Sequence, residues 1–319
     1  MKPKVFVTRH LPNAALEELQ KSCDVEIWDH EVPPPYETIV EKIADKDGLF
    51  CLLTDRIDSD LMDAAPNLKV ISQCAVGYDN IDVAAATNRG IRVGNTPGVL
   101  TDATADFSFS LLMAAARRVV EGVDYIRASK WSTWGLTLLL GQDIYGATLG
   151  IVGMGRIGHA VAKRAKGFDM SVLYYDQYRQ PELEGSLGLE YRALDDLLVA
   201  ADYVTLHVNL TEDTRGLISE RELELMKPSA ILINTARGPI VDTDALYEAL
   251  KTGQIAYAAL DVTDPEPLPA DHKLLSLPNL IVTPHIASAT VTSRTKMAMM
   301  AVQNMIAGVN GEKLPFQVN

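Results

Sequence analysis

The stretch Thr148-Leu-Gly-Ile-Val-Gly-Met-Gly-Arg-Ile-Gly158 constrains this chain more than any other. An apolar run over 148–152 feeds into the spacing Gly153-x-Gly155-x-x-Gly158, with Arg156 and Ile157 in the two open positions. A helical pattern follows over 159–166, and a second apolar run over 172–175 ends at Asp176. Each part of this strand, turn, helix, strand order has a physical reason. Gly153 permits the tight turn, Gly155 lets backbone approach a pyrophosphate, and Gly158 lets helix and strand pack closely. The helix N-terminus offers unpaired N–H groups and the positive end of its dipole to the phosphates. Asp176 comes 18 positions after Gly158, close to the roughly 20 expected for the acid that binds a ribose 2′-hydroxyl. A bare glycine triplet is weak evidence, but the full βαβ context points to dinucleotide binding. The motif opens in mid-chain, so everything before it needs a role of its own.

The chain has 319 residues, enough for about two domains. Its net charge of −13 argues against a nucleic-acid partner, which needs a basic footprint; solubility accounts for the charge. No apolar stretch approaches the roughly 20 residues of a membrane span, and the N-terminus carries no signal-peptide pattern. Cys23, Cys51 and Cys74 are widely spaced and form no CxxC pair, which argues against a bound metal or a disulfide framework. These features predict a cytoplasmic protein.

Residues 4–8, 25–28, 48–53, 70–74 and 91–93 read as short apolar strands, with helical patterns such as 14–21 and 36–44 between the first four. Continuous apolar strands alternating with helices indicate a parallel sheet covered on both faces. One long helical pattern follows over 102–129. Then comes 130–141, where Trp131, Trp134 and Leu138-Leu139-Leu140 suggest either a subunit interface or packing within the chain. The second unit starts at Thr148. Its further strands are expected at 203–208, 230–234, 256–260 and 280–282, alternating with helices at 194–199, 219–226 and 242–252. A last helix over 290–309 carries Met297, Met299, Met300 and Met305 at helical spacing, a packing face rather than a ligand set. The fold class is α/β, with two doubly wound parallel sheets.

In an open parallel sheet, ligands bind at the carboxyl ends of the strands. Arg237, Asp261 and His285 each follow an apolar strand of the second unit, so all three belong along the edge that holds the glycine loop. Glu266 lies in Asp264-Pro-Glu-Pro-Leu-Pro269, where the prolines predict a stiff, extended loop. Singly, each has a plain structural reading: an ion-pair arginine, an idle surface glutamate, a buried histidine. Together beside a dinucleotide loop they suit one reaction. Arg237 can clamp a carboxylate bidentately. His285 can pass a proton to or from a carbonyl oxygen, and Glu266 beside it would favour the charged imidazolium. A nicotinamide would exchange hydride with the carbonyl carbon. That is the interconversion of a 2-oxo acid and a 2-hydroxy acid.

The chain resembles the D-2-hydroxyacid dehydrogenase family. The matching pieces are Val76-Gly-Tyr-Asp-Asn80, Gly90-Ile-Arg-Val93, Asn95-Thr-Pro97, Thr101-Asp-Ala-Thr-Ala105, the glycine stretch, Asn234-Thr-Ala-Arg-Gly238, Leu260-Asp-Val262 and Pro284-His-Ile-Ala-Ser-Ala289, and they cover nearly the whole chain. Two phrases, Leu260-Asp-Val-Thr-Asp-Pro-Glu-Pro-Leu-Pro269 and Trp131-Ser-Thr-Trp134, resemble the glyoxylate/hydroxypyruvate reductase branch. The resemblance implies catalytic roles for His285, Glu266 and Arg237. It implies substrate contacts from Val76, Gly77, Arg237 and Trp134, the last reaching a partner subunit's site. It implies cofactor contacts from Thr104, Gly153, Gly155, Arg156, Ile157, Gly158, Asp176, Val208, Ala236, Asp261, His285 and Ala287. It also implies a homodimer and a discontinuous substrate domain, 1–98 with 286–319, into which the nucleotide domain, 99–285, is inserted.

Ala287 stands where many relatives carry Gly, near the expected nicotinamide. Asp176 should repel a 2′-phosphate, so NAD(H) is the expected cofactor, with NADP(H) the alternative; Arg179 nearby would soften that repulsion. Rival functions are a related dehydrogenase acting on phosphoglycerate, a D-lactate-like acid or phosphite, and a non-enzymatic NAD-sensing binding protein. The Val76-Gly77 turn lacks the lysine expected of a phosphite enzyme.

Overall fold

Strand β1 (Lys4–Val7) starts a parallel sheet that continues through β2 (Asp24–Ile27), β3 (Gly48–Cys51), β4 (Val70–Gln73) and β5 (Arg92–Gly94), in the order β2-β1-β3-β4-β5. The computed structural model describes residues 1–319. The chain folds into two compact units, Met1–Leu100 with Ala289–Asn319, and Thr101–Ser288. The C-terminal helix, Val291–Val309, returns to the first unit and packs on its sheet. Met305, Val302, Ala301 and Ala298 are buried there against Val5, Val7, Phe50 and Val70. Burying each of the larger side chains stabilises the fold by roughly 1.5–3 kcal/mol. The helix comes close because Gly308 and Gly48 leave room: a Cβ on Gly308 would lie 2.5 Å from the Val70 side chain.

The second unit holds a seven-stranded parallel sheet. Its strands are β6 (Thr148–Val152), β7 (Ser171–Tyr175), β8 (Glu190–Tyr191), β9 (Tyr203–Leu206), β10 (Ile231–Asn234), β11 (Tyr257–Leu260) and β12 (Leu280–Val282). They run in the order β12-β11-β10-β9-β6-β7-β8. The chain winds outward from β6 through β7 to β8, then crosses back to β9 and winds the other way. The order therefore reverses between β6 and β9, and such a switch point opens a crevice at the strands' carboxyl ends. β9 and β10 are buried at every position, as continuous apolar strands under helices on both faces should be. The two-residue β8 does not stand out in the sequence, because it is too short to show a period.

The long helix expected over 102–129 is two helices, Thr101–Ala116 and Val119–Arg127. Neither Pro nor Gly breaks it; Arg118 turns left-handed, with φ 52°. Tertiary partners hold the break. The Ala116 carbonyl accepts from Gln142 N at 2.8 Å, and Arg118 grips Glu121 and the Leu140 carbonyl. Gly141 is required for this approach, since a Cβ there would lie 2.2 Å from the Ala116 oxygen. Trp131 and Trp134 lie mostly open, at 59% and 74% exposed. No helix is long and apolar enough to cross a membrane.

Candidate active site

The glycine loop follows β6. Gly153 has φ 98°, and a Cβ on it would lie 2.7 Å from the backbone of His207 and Val208 after β9. Only glycine relieves both demands. A Cβ on Gly158 would lie 2.1 Å from the Gly153 oxygen, so the helix Arg156–Ala165 could not seat under the loop with any other residue. Gly155 differs: a Cβ there would meet nothing within 4 Å. Gly155 and Arg156 are exposed, and Ile157 is half-buried. The loop thus presents open space before a ten-residue helix's N-terminus, which suits a pyrophosphate. Asp176 lies just past β7 and is tied to the loop, its Oδ2 accepting from Met154 N at 2.7 Å and its Oδ1 from Tyr178 N at 3.0 Å. Thr104 is buried in the first turns of Thr101–Ala116. That helix is joined to the glycine-loop helix by Arg164, which donates to Asp106 at 2.6 Å. These residues fit a dinucleotide.

Farther along the same sheet edge, β10, β11 and β12 deliver the other groups. His285 Nδ1 lies 2.6 Å from Glu266 Oε1. Burial pushes the Glu266 carboxyl up, but the His285 hydrogen bond and charge, the Thr263 N–H and the Arg237 charge outweigh it and hold the carboxyl below its ordinary range. The pair therefore keeps Glu266 a carboxylate at neutral pH. The Glu266 loop bends rather than running extended as the prolines suggest: the Asp264–Pro265 and Glu266–Pro267 peptide bonds are cis, and Thr263 Oγ1 donates to the Pro265 carbonyl at 2.8 Å. Thr243 Oγ1 donates to the Asp264 carbonyl at 2.9 Å and ties the loop to the start of the preceding helix, Thr243–Thr252.

His285 is left-handed, with φ 54°, a conformation costing a non-glycine residue of order 1–2 kcal/mol. Asp261 compensates. It is 1% exposed, and its Oδ1 accepts from Ile286 N at 2.8 Å and from Thr283 Oγ1 at 2.6 Å, while Oδ2 accepts from Ala287 N at 2.7 Å. The Asp261 carbonyl accepts from His285 N at 2.9 Å. Asp261 is thus the anchor of the His285 turn, a contact its spacing does not reveal. Ala287 is buried beside it.

Arg237 sits in extended backbone after β10, and its Nη1 donates to the Ala236 carbonyl at 2.8 Å. A Cβ on Gly238 would lie 1.9 Å from the Thr263 oxygen, so glycine alone lets the Arg237 turn lie against the Glu266 loop. Val208 and Ala236 are half-buried at neighbouring strand ends.

Val76 and Gly77 belong to the other unit, just past β4, and side chains hold their carbonyls: Asn95 Nδ2 donates to Val76 O at 2.8 Å and Gln73 Nε2 to Gly77 O at 3.2 Å. The second unit therefore brings together Arg237, Asp261, Glu266 and His285, with the glycine loop and Asp176 on the same edge. Trp134 lies on an irregular segment and is mostly exposed. Sequence reasoning missed the supporting groups Asn234, Thr263 and Thr283. The only signal they left was a polar residue closing or following an apolar strand.

The profile of the NAD binding domain of D-isomer specific 2-hydroxyacid dehydrogenases matches residues 109–287. A glyoxylate reductase of Korarchaeum cryptofilum is 54% identical over 100% of this chain and 96% of its own length. One from Aeropyrum pernix is 52% identical with the same coverage. Among solved structures, a Thermus thermophilus protein superposes with a TM-score of 0.93 at 48% identity, covering 99% of this chain and 100% of its own. An NADPH-dependent glyoxylate/hydroxypyruvate reductase from Sinorhizobium meliloti, solved with NADP and malonate, has a TM-score of 0.89 at 32% identity, covering 100% of this chain and 97% of its own. With its glycine loop, its strand-end groups and these relatives, the chain belongs to the D-isomer specific 2-hydroxyacid dehydrogenase family.

Proposed function

We propose that this chain is an NAD(P)H-dependent glyoxylate reductase that converts small 2-oxo acids, glyoxylate and hydroxypyruvate, to their 2-hydroxy acids. The observation that carries the reading is the 2.6 Å bond between His285 Nδ1 and Glu266 Oε1, on the sheet edge shared with Arg237 and the glycine loop. Full-length identity of about half to glyoxylate reductases supports the substrate class. A bound nicotinamide supplies the hydride. Arg237 holds the substrate carboxylate through its planar fork. With Glu266 at Nδ1, Nε2 is the ring nitrogen that carries the proton to the carbonyl oxygen as hydride arrives at carbon. Gly153, Gly155, Arg156, Ile157 and Gly158 seat the pyrophosphate, with Thr104, Val208, Ala236, Asp261 and Ala287 lining the rest of the cofactor site. Val76 and Gly77 offer backbone N–H groups to the substrate.

NADH is the preferred cofactor on this reading. Asp176 holds a carboxylate at the ribose position, and the nearby Arg179 is committed elsewhere. Its Nε and Nη2 grip Glu184 at 2.7 and 2.8 Å, and that guanidinium, with the Tyr174 hydroxyl, holds the Glu184 carboxyl down at about 2. The exposed Val119, Val120, Val123, Ile126, Trp131, Trp134, Leu136 and Leu140 form the surface of a homodimer. An NADH-consumption assay across glyoxylate, hydroxypyruvate, pyruvate and a bulky 2-oxo acid tests the function. Turnover is expected to be highest on glyoxylate and hydroxypyruvate; no turnover on any of the four refutes the reading.

A further inference from the structure

Asn234 is the last residue of β10 and 1% exposed. Its side chain makes two bonds, both to the turn that follows. Oδ1 accepts from Ala236 N at 3.0 Å, and Nδ2 donates to the Arg237 carbonyl at 2.8 Å. An amide side chain offers a donor and an acceptor fixed in one plane. It therefore bridges both peptide groups flanking the Ala236–Arg237 bond. The Arg237 guanidinium in turn donates to the Ala236 carbonyl. The Arg237 backbone is thus tied to one buried amide, and its side chain to the peptide that this amide holds. The Asn234 carbonyl itself accepts from Asp261 N at 2.9 Å, and Asp261 anchors the His285 turn. At Gly238 the same turn lies against Thr263, whose N–H donates to Glu266 Oε2 at 3.3 Å.

We propose that Asn234 is a positioning residue that sets the height and direction of the Arg237 guanidinium relative to the His285–Glu266 pair, and so acts on the binding of the substrate carboxylate. The proposal rests on the reading of Arg237 as the carboxylate holder. Hydride transfer needs the reacting atoms placed to within a fraction of an ångström. An arginine on a flexible turn does not achieve that, because backbone freedom adds to the roughly 2 kcal/mol of rotamer entropy that its side chain carries. The Asn234 bonds remove the backbone freedom before substrate arrives. Buried and shielded from water, they have no solvent partner to fall back on. Replacing the amide nitrogen by an oxygen in Asn234→Asp keeps the shape and sets an acceptor against the Arg237 carbonyl.

The test uses the full chain and compares Asn234→Asp, Asn234→Ala and Arg237→Met. It reads KM and kcat for glyoxylate, the Kd of NADH by fluorescence, and the inhibition constant of oxamate, a carboxylate with a neighbouring carbonyl. In both Asn234 variants, KM and the oxamate constant are expected to rise about tenfold. kcat should change far less, and NADH affinity should be kept. A merely structural role would instead lower kcat and NADH affinity together and leave oxamate unaffected, and that result overturns the proposal. If Arg237→Met leaves the glyoxylate KM and the oxamate constant unchanged, the carboxylate-holder reading fails. If Arg237→Met raises both while the Asn234 variants do not, only the present proposal fails. Should neither Asn234 variant fold, amide exchange on the unaltered protein decides. The Ala236 N–H is expected to be protected with NADH bound and to gain protection when oxamate is added. Fast exchange at Ala236 under both conditions overturns the proposal.

Discussion

Glu266 Oε1 stands 2.6 Å from His285 Nδ1, and the histidine reaches that position through a left-handed backbone, φ 54°, pinned by Asp261. His285 is thus fixed from two sides, by its ring and by its main chain.

Removing the ring tests its role directly. His285→Ala is expected to lower kcat by about 10²–10⁴-fold, the usual worth of a positioned acid or base. NADH binding, measured by fluorescence titration, should be kept. Activity near that of the unaltered protein would refute the assignment.

The Glu266 carboxyl is depressed below its ordinary value of 4.5, since the His285 bond and charge outweigh the effect of burial. A depressed acid stabilises the fold fully above its ordinary value, and that contribution is lost as pH falls through the folded value. Melting temperatures of the unaltered protein and of Glu266→Gln, recorded from pH 7 down to pH 3, should therefore converge below about pH 4.5. A constant difference across that range contradicts the sign. The same variant should also lower kcat, because a neutral amide replaces the carboxylate that holds Nδ1 of the ring at 2.6 Å.

On the proposed reading, cofactor choice rests on Asp176, with Arg179 paired to Glu184. Asp176→Ser removes the repulsion towards a 2′-phosphate. The ratio of kcat/KM for NADPH over NADH is expected to rise by at least about tenfold, the effect of one nearby like charge at ~1.4 kcal/mol. A clear NADPH preference in the unaltered protein would sink the account.

The exposed apolar side chains on Val119–Arg127 and on 130–141 make a surface that water does not favour. Light scattering after size exclusion should give twice the chain mass of 34.8 kDa. Ile126→Asp, at a position 58% exposed, should shift the population to monomer without lowering the melting temperature of the isolated chain. A monomer in the unaltered protein contradicts the dimer.

Much of the fold was legible because its signals are local. Gly153, Gly155 and Gly158 declare themselves by spacing. Arg237, Asp261 and His285 follow apolar strands in the sequence and stand at β10, β11 and β12 in the structure. Glu266 was legible as a residue of a proline-bound loop, while its 2.6 Å approach to His285 was not. The two helices around Arg118 read as one, since nothing in their own residues breaks the pattern. The break is imposed by Gln142 and Leu140, more than twenty positions on.

Apart from β8 and the break at Arg118, which elements form, and in what order, was already legible in the amino-acid sequence, because hydrophobic period, glycine spacing and strand ends depend on residues within one or two turns of each other. So were the residue types available for chemistry. Their geometry came only with the folded chain: Asp261 turns its carboxylate onto Ile286 and Ala287, Asn234 holds the Arg237 turn, and Arg179 is committed to Glu184. These are hydrogen bonds of buried or partly buried polar groups, and their partners are chosen by how strands and loops come to lie side by side.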